Sequence, residues 1–346
     1  MRSTLRERSN IVIVKTVVVD VEVDHVEDDD ALTVRWELEG EPVAVDVAIG
    51  TSPDHINHTQ QARVPAGQTS LRLLRPSGGR LFVSVTSQQG GPAVVAAERR
   101  ISFEAVTNFR DLGGYRTRSG RRVQWGRLFR SDALHGMTEG DLAVYDQLGL
   151  RAVYDLRGDV EVAEQPNPVP SRHLPILTRP PGDATPLEFD GTTSVDGEQV
   201  LAAIYIRGID HAAPRIGELF SALTEPDGVP AVFHCHAGKD RTGLVAALLL
   251  EALEVDRESI LDDYELTARY RLRAQQDQTF ERLMKLGLAP EAAAGVLTTP
   301  RWAMAAALEH LDREYENIEG YLTGPAAMTR PDLQRLADVL LTPDLT

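Results

Sequence analysis

A chain of 346 residues is long enough for two domains with a core each, and its net charge of −16 opposes broad binding to nucleic acid or anionic membrane, whose phosphates it repels. A single cysteine excludes an intramolecular disulfide framework, and hydrophobic and charged fractions of 42% and 25% are those of an ordinary globular protein. The apolar run Ile11-Val-Ile-Val14, closed by Lys15, is too short for a signal or membrane-spanning segment, so no stable membrane insertion is expected and the chain reads as cytoplasmic, where a free thiol stays reduced.

Residues 1–16 read as a tail. From 17 to 103 short β-rich runs alternate with turn signals. Val17-Val-Val-Asp-Val-Glu-Val23 alternates apolar and polar, and Leu32, Val34 and Trp36 share one strand face with Thr33 and Arg35 on the other. Strands are expected again at 43–49, 70–74, 81–86 and 93–97. The acidic run Glu27-Asp-Asp-Asp30 reads as a solvated hairpin loop, since a calcium loop needs a longer ordered spacing of oxygens. About six or seven strands without cysteines resemble a fibronectin type III or immunoglobulin-like all-β sandwich; with no visible catalytic set it reads as a module for partner or dimer contacts or for packing against the rest of the chain.

From 104 to 346 strand and helix alternate, as in an α/β domain with a helix-rich C-terminal half. Strands are expected at 151–156 and 229–233, and helices at 200–223, 241–253, 258–276, 279–286, 301–315 and 331–341. Between 164 and 196 Pro, Gly, Asp and Thr predict a loop, of a length that often serves as a lid.

The string His234-Cys235-His236-Ala237-Gly238-Lys239-Asp240-Arg241-Thr242-Gly243 carries the chemistry. It joins a buried strand to a helix N-terminus, where backbone amides and the helix dipole favour an anion. A thiol attacks phosphorus as thiolate, and the amides, Arg241 and a hydroxyl hydrogen bond from Thr242 to the sulfur would favour that form. The five residues between Cys235 and Arg241 let the chain curl into a cup, with the guanidinium placed to hold two phosphate oxygens. Gly238 permits the tight turn and Gly243 close helix packing.

Cys235-x5-Arg241-Thr242 resembles the signature of the protein tyrosine phosphatase superfamily, and the full string is similar to its atypical bacterial tyrosine and dual-specificity branch. Asn108-Phe-Arg-Asp-Leu-Gly-Gly-Tyr115, Leu128-Phe-Arg-Ser-Asp132 and Val153-Tyr-Asp-Leu-Arg157 match that branch in order, so the resemblance covers roughly 104–341. It implies a phosphatase without a cofactor or metal. Cys235 takes the phosphoryl group as a cysteinyl-phosphate, residues His236, Ala237, Gly238, Lys239, Asp240 and Arg241 bind phosphate, and water completes hydrolysis. The leaving oxygen needs a proton. The resemblance points to Asp240 inside the loop, with Asp210 as the upstream alternative. The expected substrate is a phosphotyrosine protein, with phosphoserine and phosphothreonine proteins included. Lys239 would extend the positive pocket, which keeps a phosphoinositide as the alternative substrate. Relatives carry a helical lid where residues 264–306 fall.

Around the loop, His234 reads as a buried strand-end histidine bonded to it. Asn108, Arg110 and Asp111 read either as a structural turn, with Asp111 pairing Arg110 or capping an amide, or as a rim that orders Arg241 or substrate. For Arg130 and Arg157 a surface ion pair is expected. Three other readings compete. A metal site at His234-Cys235-His236 fails because alternate side chains face opposite ways and no second ligand cluster lies at a useful spacing. A rhodanese-like sulfurtransferase would lack the Lys-Asp-Arg-Thr-Gly ending. A phosphate-binding pseudoenzyme would not require a thiol and an acid together.

Overall fold

In the computed structural model, which describes residues 15–26, 31–74, 80–176, 197–270 and 289–343 together with Phe280, Glu281 and Met284, the chain divides between Glu98 and Arg99. That division precedes the change of texture at Phe103 because Ile101 donates to Phe109 O and Asp111 to Arg99 O, which ties 99–103 to the second unit. Thr16 belongs to the first unit, where its amide donates to Gln89 Oε1 and its hydroxyl to Glu41 O. The acidic run 27–30, the 177–196 part of the long loop, the end of the helix expected to reach 276 and most of that expected at 279–286 lie outside the described residues.

The first unit is all-β. A three-stranded sheet has the order β1 (Val17–Val26), β2 (Ala31–Glu39), β5 (Ser70–Leu74), and a four-stranded sheet the order β4 (His55–Val64), β3 (Val45–Ser52), β6 (Phe82–Ser87), β7 (Val94–Ala97). Every pairing is antiparallel, and Val26 stands opposite Ala31 across the acidic run. Leu32, Val34 and Trp36 are buried along one face of β2 while Arg35 is exposed and pairs with Asp24. Strand β4 has no counterpart among the strands expected from the sequence. Among the described residues it is an edge strand paired only with β3, and most of its described side chains are exposed, so no apolar alternation marks it.

The second unit is built on a five-stranded sheet in the order β11 (Arg172–His173), β10 (Ala152–Asp155), β12 (Ala231–His234), β9 (Leu128–Ser131), β8 (Arg110–Asp111). The first four strands are parallel and β8 runs antiparallel to β9. Strand β12 is central and wholly buried, which explains its continuous apolar run. Its helices are α1 (Glu139–Gln147), α2 (Asp159–Glu164), α3 (Gly197–Leu223), α4 (Asp240–Ala252), α5 (Arg257–Tyr270), α6 (Pro290–Leu297), α7 (Arg301–Tyr315), α8 (Ile318–Thr323) and α9 (Arg330–Leu340) among the described residues. Helix α4 lies in the core with Leu244, Val245, Leu248, Leu249 and Leu250 at most 1% exposed. Burying each such side chain stabilises the fold by roughly 1.5–3 kcal/mol. The fold thus fixes the helix whose first turn faces the carboxyl ends of the strands, the edge where open parallel sheets bind ligands.

Candidate active site

Residues 235–239 join β12 to α4. Gly238 sits at φ +65°, and a Cβ there would lie 2.6 Å from Ser131 O and 2.7 Å from Asp132 N, so both conformation and space require glycine. At Gly243 a Cβ would stand 3.1 Å from the Tyr264 ring, which makes the first turn of α4 a close packing point.

The loop is held by its carbonyls. His236 O accepts from Ala133 N at 3.0 Å, Ala237 O from Asn108 Nδ2 at 3.3 Å, and Gly238 O from Asn108 Nδ2 at 3.1 Å and Arg130 Nη2 at 2.9 Å. In a trans peptide the carbonyl and the next N–H point opposite ways. The amides of Ala237, Gly238 and Lys239 are therefore turned away from these anchors, an arrangement suited to an anion at the start of α4. Cys235, at the base of this turn, is 2% exposed.

Beneath the loop lies a buried ionic hub. Asp263 of α5 meets Arg110 Nε at 3.1 Å and Arg130 Nη1 at 2.5 Å, and accepts from the Tyr115 hydroxyl at 3.1 Å. Arg110 also donates to Asn108 Oδ1 at 2.5 Å, which fixes the amide that holds the loop. Burial opposes the charged form of Asp263, yet the two arginines keep its carboxyl far below the ordinary range. Asp111 caps a turn, accepting from Gly113 N and Gly126 N, both at 2.7 Å. Asp132 accepts from Thr107 N and Asn108 N and so fastens this segment to the end of β9.

The surface ion pairs expected for Arg130 and Arg157 are not what forms: both side chains are buried, at 1% and 0% exposure. Arg157 folds back on Asp155 at 2.7 Å, and although burial opposes it, this contact holds Asp155 below the usual carboxylate range. Asn167 Oδ1 accepts from Arg157 while its Nδ2 donates to Asp155 and lies 3.0 Å from His234 Nε2. An amide nitrogen only donates, so His234 Nε2 accepts and Nδ1–H, 3.0 Å from Cys235 O, donates to the loop. Burial pushes His234 down to about 4, which keeps it neutral in this role. His236, on the other side of Cys235, is exposed and stacks on His135 with ring centroids 6.4 Å apart, so the two flanking histidines do not share a face.

Arg241 is engaged by a residue that the sequence motifs do not single out. Its Nη1 and Nη2 meet Glu161 Oε2 and Oε1 of α2 at 2.5 and 2.8 Å. Burial opposes Glu161 ionisation, but Arg241 draws its carboxyl down to about 2. The available signal was Gly158-Asp-Val-Glu161, a capping pattern in which Glu161 accepts from Gly158 N at 2.9 Å and so has a fixed backbone address.

Asp240, the first residue of α4, is 34% exposed at its side chain. Its Oδ1 accepts from the Tyr205 hydroxyl at 2.7 Å and lies 3.3 Å from Lys239 Nζ. Asp210, the upstream alternative, lies inside α3 rather than on a loop and accepts from His310 at 2.8 Å and Tyr315 at 3.1 Å. Lys239 does not line an open pocket. It is 2% exposed and donates to Val296 O and, at 2.9 Å, to Thr298 O, at the carbonyl end of α6. Thr242 is buried, and among the described residues its hydroxyl has no hydrogen-bond partner, so the expected bond to the Cys235 sulfur is not made.

Residues 101–342 match the profile described as the tyrosine phosphatase family. A protein named as a tyrosine-protein phosphatase in Cupriavidus necator is 31% identical over 260 residues, covering 73% of this chain and 93% of the relative. The triple specificity protein phosphatase PtpB of Mycobacterium tuberculosis is 30% identical over 275 residues, covering 68% and 96%. A tyrosine-protein phosphatase of Nostoc commune is 28% identical over 161 residues, covering 44% and 52%. No helix among the described residues is long and apolar enough to cross a membrane.

Proposed function

The chain belongs to the tyrosine phosphatase family and is a hydrolase of the phosphatase class, and on that premise we propose that it cleaves phosphate monoesters of proteins through a cysteinyl-phosphate on Cys235. In the first step the Cys235 sulfur bonds to phosphorus as the ester P–O bond breaks, and the departing oxygen takes the proton of Asp240. The loop amides and Arg241 hold the equatorial oxygens as charge develops on them. Glu161 keeps the guanidinium oriented, so that little order has to be created at the moment of reaction. In the second step water attacks phosphorus, the S–P bond breaks, and Asp240 recovers a proton from the water.

The observation that carries this reading is the anchoring of the loop by the carbonyls of His236, Ala237 and Gly238, which leaves the next amides along the chain to an anion above Cys235. Phosphoproteins are favoured over phosphoinositides, since the ammonium of Lys239 is already bound to two carbonyls. The triple specificity named for the mycobacterial relative supports activity on phosphoserine and phosphothreonine beside phosphotyrosine. A reducing compartment such as the cytoplasm would keep the thiol usable. The N-terminal unit is read as a fibronectin type III-like sandwich, from its antiparallel sheets of orders β1-β2-β5 and β4-β3-β6-β7, and as a contact module for a partner or a second copy.

The test is rapid denaturation during turnover of a phosphate-labelled phosphotyrosine peptide. Label should be captured covalently on the chain and be lost in Cys235→Ser. Full turnover by Cys235→Ser would remove the mechanism.

A further inference from the structure

Two phenols buried beside the loop have no part in the two-step mechanism. Tyr205 of α3 and Tyr264 of α5 are 0% and 1% exposed and meet edge to face, with ring centroids 6.0 Å apart and planes at 85°. Their hydroxyl oxygens are 2.6 Å apart, and Tyr205 reaches Asp240 Oδ1 at 2.7 Å. Oδ1 of Asp240 accepts whether or not Oδ2 carries a proton, so the Tyr205 proton lies on the Asp240 side. The contact between the phenols is then made by Tyr264 donating to Tyr205. The chain of hydrogen bonds runs one way, Tyr264 to Tyr205 to Asp240, and each link polarises the next. Burial, and then the Asp240 carboxylate, holds the Tyr205 phenol well above its ordinary range, so it remains a donor. Lys239 Nζ approaches the same oxygen, Oδ1, at 3.3 Å. Both protein contacts thus converge on one oxygen of a side chain that is one-third exposed.

We propose that Tyr205 is a positioning residue for proton transfer: it commits Oδ1 of Asp240 to the protein and reserves Oδ2 for the reaction. The proposal rests on Asp240 as the acid. In the first step the Oδ2–H bond breaks and the proton passes to the ester oxygen as S–P forms and P–O opens. In the second, Oδ2 takes a proton from the attacking water as O–P forms and S–P opens, so the carboxyl is restored and no other reactant is needed. Helices α3 and α5 would in this way set the direction of a group carried by α4.

The experiment compares Tyr205→Phe, Asp240→Asn and the double variant on two substrates, phenyl phosphate, whose leaving group needs the proton, and p-nitrophenyl phosphate, whose leaving group needs it little. Thermal melting of each variant reports on folding. Tyr205→Phe should lower kcat/KM on phenyl phosphate about tenfold more than on p-nitrophenyl phosphate, the scale of one hydrogen bond to a charged group. It should add nothing in the Asp240→Asn background, because it acts through that side chain. Tyr264→Phe should show the same selectivity, more weakly. If Asp240→Asn is selective for phenyl phosphate while Tyr205→Phe affects both substrates equally, or neither, the positioning role falls and Asp240 keeps its own. If Asp240→Asn itself is not selective, the acid lies elsewhere and both assignments fall.

Discussion

Arg130 and Asp263 meet at 2.5 Å with each side chain only 1% exposed, and the same carboxylate also takes Arg110, which is wholly buried. Two cations share one anion beneath the Cys235 loop, and burial, then Arg110, pulls Arg130 down to about 10. Asp263→Asn would leave both guanidinium groups without a counter-charge. Removing one partner of a buried pair costs about 3–5 kcal/mol. For a unit of this size that is a fall in Tm of about 10 °C. Because Arg130 holds Gly238 O, turnover should fall with stability. Melting within about 2 °C of wild type would show that the hub carries no such load.

Glu161 positions Arg241 by a two-point contact at the end of the guanidinium. Glu161→Gln keeps the shape and removes the charge, and should weaken binding of vanadate, a phosphate analogue, about tenfold through loss of a charge-assisted hydrogen bond. The folded carboxyl sits near 2, below its unfolded value, so the pair's contribution to stability is present above the ordinary Glu range and is lost only as pH falls toward 2. Vanadate affinity of the wild type should therefore show no Glu161-dependent step between pH 5 and 8. Unchanged affinity in Glu161→Gln would mean that Arg241 is oriented by other contacts.

His234 makes a prediction about acid stability. Its folded value of about 4 lies below the ordinary 6.5. Between these limits the unfolded chain binds a proton that the native state refuses, so stability falls as pH drops from 6.5 to 4 and this residue adds no further loss below that. The full window is worth about 3 kcal/mol. In His234→Asn an amide N–H stands in for Nδ1–H and nothing titrates. The difference in unfolding free energy between wild type and variant should then grow steadily more favourable to the variant across that window. Parallel curves would mean that His234 takes up its proton in the folded state.

Much of this was legible because its cause is local. The apolar run before Cys235, the glycines at 238 and 243 and the leucines of α4 mark a strand, a loop and a buried helix by chain neighbours alone. What could not be read were partners far apart in sequence. Asp263 lies in the chain far beyond Arg110 and Arg130 and reads as one more acid in an acidic helix. Glu161 and Tyr205 come to the loop only when the sheet and helices have packed. Lys239 was expected to serve a ligand because its charge suits one, but the carbonyl end of α6 satisfies that charge first. Strand β4 was hidden for the opposite reason, since an edge strand needs no apolar pattern.

Thr242 presents the sharpest conflict between sequence and structure. Its hydroxyl is buried without a hydrogen-bond partner among the described residues, a state that costs about 1–3 kcal/mol. Thr242→Val replaces the hydroxyl with a methyl group of similar size, and should raise Tm by a few degrees. A stabilising change so near Cys235, the proposed nucleophile, invites the question of what the hydroxyl does. In the proposed second step sulfur would gain negative charge as the S–P bond opens, and a hydroxyl turned toward it would then find a partner it lacks at rest. The variant should accordingly lower kcat while leaving kcat/KM near wild type, and labelled phosphoenzyme should accumulate because the second step is the one that slows. A fall in Tm would show that the hydroxyl is satisfied in the folded chain. A rise in Tm with kcat unchanged would leave the hydroxyl no part in either step.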